Sequence, residues 1–240
     1  MSKSWVIRLI IINTIIFLLQ ELSGLYYITS MGQQIPLKNL VEHLFGLAPY
    51  HVVQDYWAWQ FLTYMFLHGN FFHIFLNMYA LFIFGIPVEQ VWGGRKFILY
   101  YLFTGIGAGI VIFLINLKLG GVSEITPTIG ASGAVFGLLL AFGMLFPEAE
   151  ILIFFVIPMR AKYLVVLYGA IELYSLYQTG GQSPISHAGH LGGLLFGLIY
   201  FGIMRKHDIR FKSKVIKARI HQELTRSEEH TSELQSRQSI

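Results

Sequence analysis

Three apolar runs of this chain each carry polar residues that are costly inside a hydrophobic segment. Ser132 stands in Gly130-Ala131-Ser132-Gly133-Ala134-Val135-Phe136-Gly137, at the start of one run. His187 and His190 open a second, and His73 and Asn77 a third. A serine hydroxyl is a weak nucleophile until a base takes its proton, and a neutral imidazole within reach can take it. The oxyanion that forms next needs donors already in place, each contributing about 2.7–4 kcal/mol. The Ser132 amide, at a helix start, has no intrahelical acceptor, and the His73 and Asn77 side chains carry N–H groups.

On spacing alone either His187 or His190 could be the base, since they lie three apart on one helix face. His190 is deeper and shares the face of Gly189, Gly193 and Gly197, so it is the favoured base. His187 reads as a solvated residue at the mouth. No Asp or Glu occurs within 129–146 or 188–204, which points to a Ser-His dyad rather than a triad. His68 and His73 are five apart, unlike the i, i+4 pair of a helical zinc site, and the chain has no cysteine. No metal or other cofactor is expected.

Membrane spans must position these groups. The chain is 55% hydrophobic and 12% charged, against about 25% charged in ordinary soluble domains. Its apolar residues fall in blocks approaching the ~20 residues that cross a bilayer, which predicts an all-α membrane protein. Six spans are read at about 5–26, 71–91, 96–117, 129–146, 163–177 and 188–204. Residues 151–157 are apolar but are cut off by Pro158, Arg160 and Lys162, and are placed at the interface. With a cytoplasmic N-terminus, the inside segments hold Lys3, Arg8, Arg95, Lys96, Arg160, Lys162 and the basic run after Arg205, whereas the outside segments hold Lys38 and Lys118. That asymmetry puts both ends inside, in the cell membrane. The spans starting at 71, 129 and 188 then enter from the outside with their polar residues at similar depth. Gly133 and Gly137 on one, and Gly189, Gly193 and Gly197 on another, are small-xxx-small faces that let helices come close. Such faces are also a plain packing seam, and close packing is what a serine needs to reach a histidine on the next helix.

The outside segment 28–70 holds helical apolar spacing over 37–47 and an aromatic stretch over 57–67, read as interfacial helices. Residues 1–204 form the membrane domain and 205–225 a basic cytoplasmic tail. Residues 226–240 read as an assembly artefact, because Arg-Ser-Glu-Glu-His-Thr-Ser-Glu-Leu-Gln-Ser over 226–236 looks like the translation of a common sequencing adapter.

Taken in order, these motifs resemble the rhomboid family of intramembrane serine proteases over roughly 59–197. The matching residues are His68-x4-His73-x3-Asn77, Gly130-x-Ser132-Gly133 and His190-x2-Gly193-x3-Gly197, with Glu89 and Gly93 between the first two motifs. The resemblance implies Ser132 as nucleophile and His190 as general base and acid. It implies His73 and Asn77 as oxyanion side chains, with Gly130 and Ala131 lining the site. It also implies a minimal bacterial six-helix bundle with a short fourth helix and a water-filled cavity open to the outside. The substrates would be membrane proteins whose transmembrane segment unwinds easily. The other partner is the bilayer, and no nucleic acid is expected. Many relatives have Trp-Arg where this chain has Trp59-Gln60, which puts a loop-stabilising arginine network in doubt. Many have Tyr four residues after the serine; here Phe136 can stack under His190 without the hydroxyl. The rival reading is an inactive rhomboid-like scaffold or a proton-coupled transporter, since intramembrane histidines also serve proton relays. The internal repeats and broken helices of transporters are not evident, and a dead scaffold would be expected to lack the serine or the histidine.

Overall fold

The computed structural model describes residues 4–30, 33–120, 122–153, 156–180, 183 and 185–207. Residues 208–240, with most of the basic tail and the adapter-like stretch, lie outside the described residues. The chain opens with α1 (Trp5–Ser23), a hairpin of β1 (Tyr27–Ser30) and β2 (Gln33–Pro36), then α2 (Leu37–Phe45) and α3 (Pro49–Gln54). The short α4 (Gln60–Thr63) runs into a 3-10 turn at Tyr64–Phe66. Next come α5 (Phe71–Trp92), α6 (Gly94–Leu119), the short α7 (Val122–Ile125) and α8 (Ser132–Leu145). A second hairpin, β3 (Glu150–Ile153) and β4 (Ile157–Arg160), precedes α9 (Ala161–Thr179) and α10 (His187–His207).

The two antiparallel hairpins correct the all-α expectation; the chain is mostly helical. β3 and β4 fall on the stretch read as interfacial. Pairing Ile151 with Met159 and Leu152 with Pro158 gives the backbone partners that an apolar segment too short to span would otherwise lack. Helix limits also move: α1 stops at Ser23 rather than 26, α8 starts at Ser132 rather than 129, and α6 and α9 are longer than read. Among the described residues, α1, α5 and α6 are the helices long and apolar enough to cross a membrane. α8 and residues 187–203 of α10 are apolar but shorter.

Local chemistry explains the ends. The Asn70 side chain caps α5 by accepting the His73 N–H at 2.9 Å, a strong N-terminal signal. Gly93, at φ +78°, lets α5 reverse into α6 through a single residue. Glu89, near the end of α5, accepts the Trp5 N–H at 2.8 Å and the Val6 N–H at 3.2 Å. A carboxylate from another helix thus satisfies the free donors of α1 and opposes its dipole. At the other end of α1, Gln20 grips the His68 backbone from both sides, donating to its carbonyl at 3.0 Å and accepting from its N–H at 3.2 Å.

α8 is the hub, packed against α5, α6, α9 and α10. Its residues from Gly133 to Gly143 are buried apart from Phe136. α1 and α9 instead turn Leu18, Leu19, Val166 and Tyr174 outward, as helices in lipid do. α8 has 14 residues, so at 1.5 Å per residue it is about 21 Å long. That is short of ~30 Å of hydrocarbon.

Glycine sets the distance between α8 and α10. A Cβ on Gly193 would lie 1.9 Å from the Gly133 carbonyl oxygen. No side-chain rotation relieves a clash with backbone. Gly193→Ala is expected to lower the midpoint of thermal unfolding in detergent by an amount equivalent to at least ~1–3 kcal/mol. Gly202→Ala, where nothing lies within 4 Å, should leave it unchanged; equal melting of the two variants would contradict this packing.

His68, in the loop ahead of α5, is fully buried. Burial, and then His73 beside it, push its imidazole down to about 3 from the usual 6.5. The unfolded chain therefore takes a proton near pH 6.5 that the folded chain refuses. Stability is expected to fall as pH drops from about 6.5 toward 3, by up to ~1.4 kcal/mol per unit. Thermal melts between pH 6.5 and 4.5 check it: the slope should flatten in His68→Gln, and an unchanged slope would assign the acid sensitivity elsewhere.

Candidate functional site

Ser132 is the first residue of α8, and His190 lies one turn into α10. Their side chains meet, with Ser132 Oγ 2.8 Å from His190 Nε2. The Phe136 ring, one turn further along α8, lies flat on the imidazole with centroids 4.1 Å apart and planes 7° from parallel. Tyr168 of α9 supports Phe136 edge-on at 6.0 Å. The serine hydroxyl and the stacked ring together fix the imidazole in one orientation.

The opposite wall comes from α5. Gly130 has φ +129°, a backbone state that side chains rarely adopt. A Cβ there would lie 2.7 Å from His73 Nε2, so His73 looks directly onto the peptide two residues ahead of the serine. The Gly69 N–H approaches His73 Nδ1 at 3.3 Å. An Nδ1 that accepts leaves the proton of a neutral ring on Nε2, the nitrogen nearest Gly130. Asn77 is buried, and one of the two N–H groups on its Nδ2 donates to the His73 carbonyl at 2.8 Å, which leaves the second as a donor. Ala131 is buried as the residue preceding the first turn of α8.

The runs 129–146 and 188–204 hold no acid, but α9 brings one to the same place. Glu172 of α9 has only 9% of its side chain exposed and places Oε1 3.0 Å from His190 Nδ1. Its other oxygen lies 2.6 Å from His187 Nδ1. The His190 contact is at ion-pair distance, although the ring N–H does not point squarely at the oxygen. His187 is corrected as well: it is no solvated mouth residue, being 11% exposed and held by Glu172, with Ser183 Oγ 3.3 Å away on Nε2. Glu172 lies outside the runs that bear Ser132 and His190. The signal was present elsewhere, because Glu172 is the one acid between Lys162 and Thr179, and an acid amid apolar helical residues marks a partner or a function. Glu172, His187 and His190 also have a donor set that a metal ion could use, but their direct contacts account for their placement.

The Trp59-Gln60 departure has a structural answer too. Gln60 is fully buried; it accepts the Ala48 N–H at 3.1 Å and donates to the His43 carbonyl at 3.2 Å. An uncharged side chain thus ties the α2–α3 turn to α4.

A family profile described as the Rhomboid domain matches residues 56–207, more than half of the chain. Rhomboid protein 1, mitochondrial, of Saccharomyces cerevisiae is 32% identical over 183 residues, covering 68% of this chain and 52% of the yeast protein. Rhomboid-like protein 11, chloroplastic, of Arabidopsis thaliana is 33% identical over 199 residues, covering 77% of this chain and 66% of the plant protein. The human presenilin-associated rhomboid-like protein, mitochondrial, is 29% identical over 149 residues, 62% of this chain and 38% of that protein. The chain therefore spans between 38% and 66% of the length of these relatives. With the family profile and the apolar helices in agreement, this membrane protein belongs to the rhomboid family.

Proposed function

We propose that this protein is an intramembrane serine endopeptidase that cleaves transmembrane segments of other membrane proteins. The observation that carries the reading is the 2.8 Å approach of Ser132 Oγ to His190 Nε2 over the Phe136 ring. In this mechanism the hydroxyl donates to Nε2 in the resting state. As Oγ attacks the scissile carbonyl, His190 takes its proton and then delivers it to the leaving amine. Water, activated by the same ring, releases the acyl group. The developing oxyanion faces the Ser132 amide and His73 Nε2–H, with Gly130 and Ala131 forming the floor. The second N–H of Asn77, beside the one given to the His73 carbonyl, is the further donor on that side.

A helical substrate shields its carbonyls by hydrogen bonding, so segments that unwind easily are the expected substrates. We read residues 1–204 as the membrane domain and six helices, α1, α5, α6, α8, α9 and α10, as its spans. The Lys and Arg asymmetry supports both termini on the cytoplasmic face of the cell membrane, with Ser132 opening toward the outer side. The relatives named above are mitochondrial or chloroplastic by name and lend no support to that compartment.

The test is labelling by a fluorophosphonate probe in liposomes, together with cleavage of a single-span reporter carrying a Gly/Pro-destabilised segment. Ser132→Ala should lose both entirely, and His190→Ala should lose ~10²-fold or more. A folded wild type that neither labels nor cleaves would move the chain to the scaffold or transporter reading, and a proton relay would survive Ser132→Ala.

Gly130→Ala is a separate check on the oxyanion side. Its methyl must displace His73, so probe labelling should fall ~10²–10³-fold, as when one oxyanion donor is lost. Labelling at the wild-type rate would remove His73 from the proposed role.

A further inference from the structure

The outer part of α9 is thinly packed. Among the described residues of this helix, the buried ones are Ala161 and Leu164 near its start, and Glu172. Around Glu172, Ile171, Leu173 and Tyr174 are all exposed. The only deeply buried group in the second half of α9 is thus a carboxylate, which is the side chain least suited to burial without a partner. Its partners are two imidazoles on α10, His187 Nδ1 at 2.6 Å and His190 Nδ1 at 3.0 Å. A carboxylate beside Nδ1 draws the proton of the neutral ring to that nitrogen and leaves the Nε2 lone pair for the serine hydroxyl. It also opposes the positive charge that the ring gains when it takes the serine proton. The charged and titratable groups facing His190 are Glu172 from α9, Ser132 from α8, His73 from α5 and His187 on its own helix. Of these only Glu172 can carry negative charge at neutral pH.

We propose that Glu172 is a positioning residue for His190, its carboxylate lying 3.0 Å from the Nδ1 of the imidazole that serves Ser132. Through the same carboxylate it fastens the second half of α9 to α10. The inference rests on the protease reading above and adds to its Ser-His dyad a carboxylate that orients the base. His187 takes the second carboxylate oxygen, which fixes the carboxylate plane and shares the work of fastening α9. Any outward movement of α9 that admits a substrate would break the contact that orients the base, so access and base geometry are linked through one side chain.

The experiment measures the rate and saturation constants of fluorophosphonate labelling, and the unfolding midpoint, in wild type, Glu172→Gln, Glu172→Asp and His187→Gln. Removing the acid of a serine-protease triad costs on the order of 10⁴-fold in rate. Here the contact angle is poor, so Glu172→Gln is expected to lower the maximal labelling rate by ~10–10³-fold with the saturation constant unchanged. Glu172→Asp, which keeps the charge, should recover part of that loss. His187→Gln, which removes one of the two ring contacts on the carboxylate, should lower the unfolding midpoint and reduce the labelling rate less than Glu172→Gln does. A folded Glu172→Gln that labels at the wild-type rate would overturn the proposal and leave Glu172 a purely structural tie. Loss of labelling in Glu172→Asp as complete as in Glu172→Gln would overturn the charge argument. Failure of wild type to label would instead sink the protease reading itself, so the two failures are distinguishable.

Discussion

The site depends on how closely two helix backbones can approach. Ser132 and His190 come from α8 and α10, and a serine side chain reaches only one heavy atom beyond its Cβ. A 2.8 Å contact therefore requires the helices to touch through backbone. Gly133 and Gly193 supply that, because neither has a Cβ to keep the chains apart. The same faces bring Gly137 against Thr104 and Gly107 against Phe196, so α6 closes on α8 and α10 in the same way. Lipid offers no hydrophobic driving force between helices, and the association relies on such close packing. One set of glycines thus serves stability and site geometry together.

Packing around this hub is uneven. α8 is surrounded, whereas α9 keeps most of its apolar residues outward and meets α10 late in its length through a polar contact. A buried carboxylate without partners would cost several kcal/mol, but with two imidazoles it becomes directional. Apolar packing tolerates sliding of one helix on another. A carboxylate seated between two ring nitrogens does not, so α9 has a defined register against α10 despite its small buried surface.

Much of this was readable from residue types, and the misses have physical causes. Ser132, His190 and Gly193 were legible because a polar group or a glycine repeat stands out in an apolar run and helical spacing gives its face. The flat stacking of Phe136 on His190 follows from the i, i+4 step from Ser132. Glu172 was missed because its partners lie on a different helix, fifteen or more positions away, and periodicity within one segment carries no information about that crossing. His187 was misjudged for the same reason: without Glu172, nothing within its own run argues for burial. The hairpin at Glu150–Arg160 was hidden because Ile151 to Ile157 carries only the hydropathy expected of any interfacial segment. Gln60 illustrates a different limit. Its partners are backbone groups of the α2–α3 turn, and backbone partners leave no mark in the sequence.

The loop ahead of the serine shows what that turn is for. Gly130 donates its N–H to the Tyr64 carbonyl at 2.8 Å, while the Tyr64 hydroxyl donates to the Gly105 carbonyl on α6 at 2.7 Å. Leu47 and Thr128 exchange both backbone hydrogen bonds at 2.9 Å, joining the α2–α3 turn to the same loop. Gln60 in turn holds that turn to α4. The peptides that precede Ser132 are therefore fixed from both sides. Oxyanion donors act by being in place at the moment charge develops, with no reorganisation left to do. Under the proposed mechanism the Gln60 bonds meet that requirement, because neutral hydrogen bonds in a buried turn need no charge to be directional.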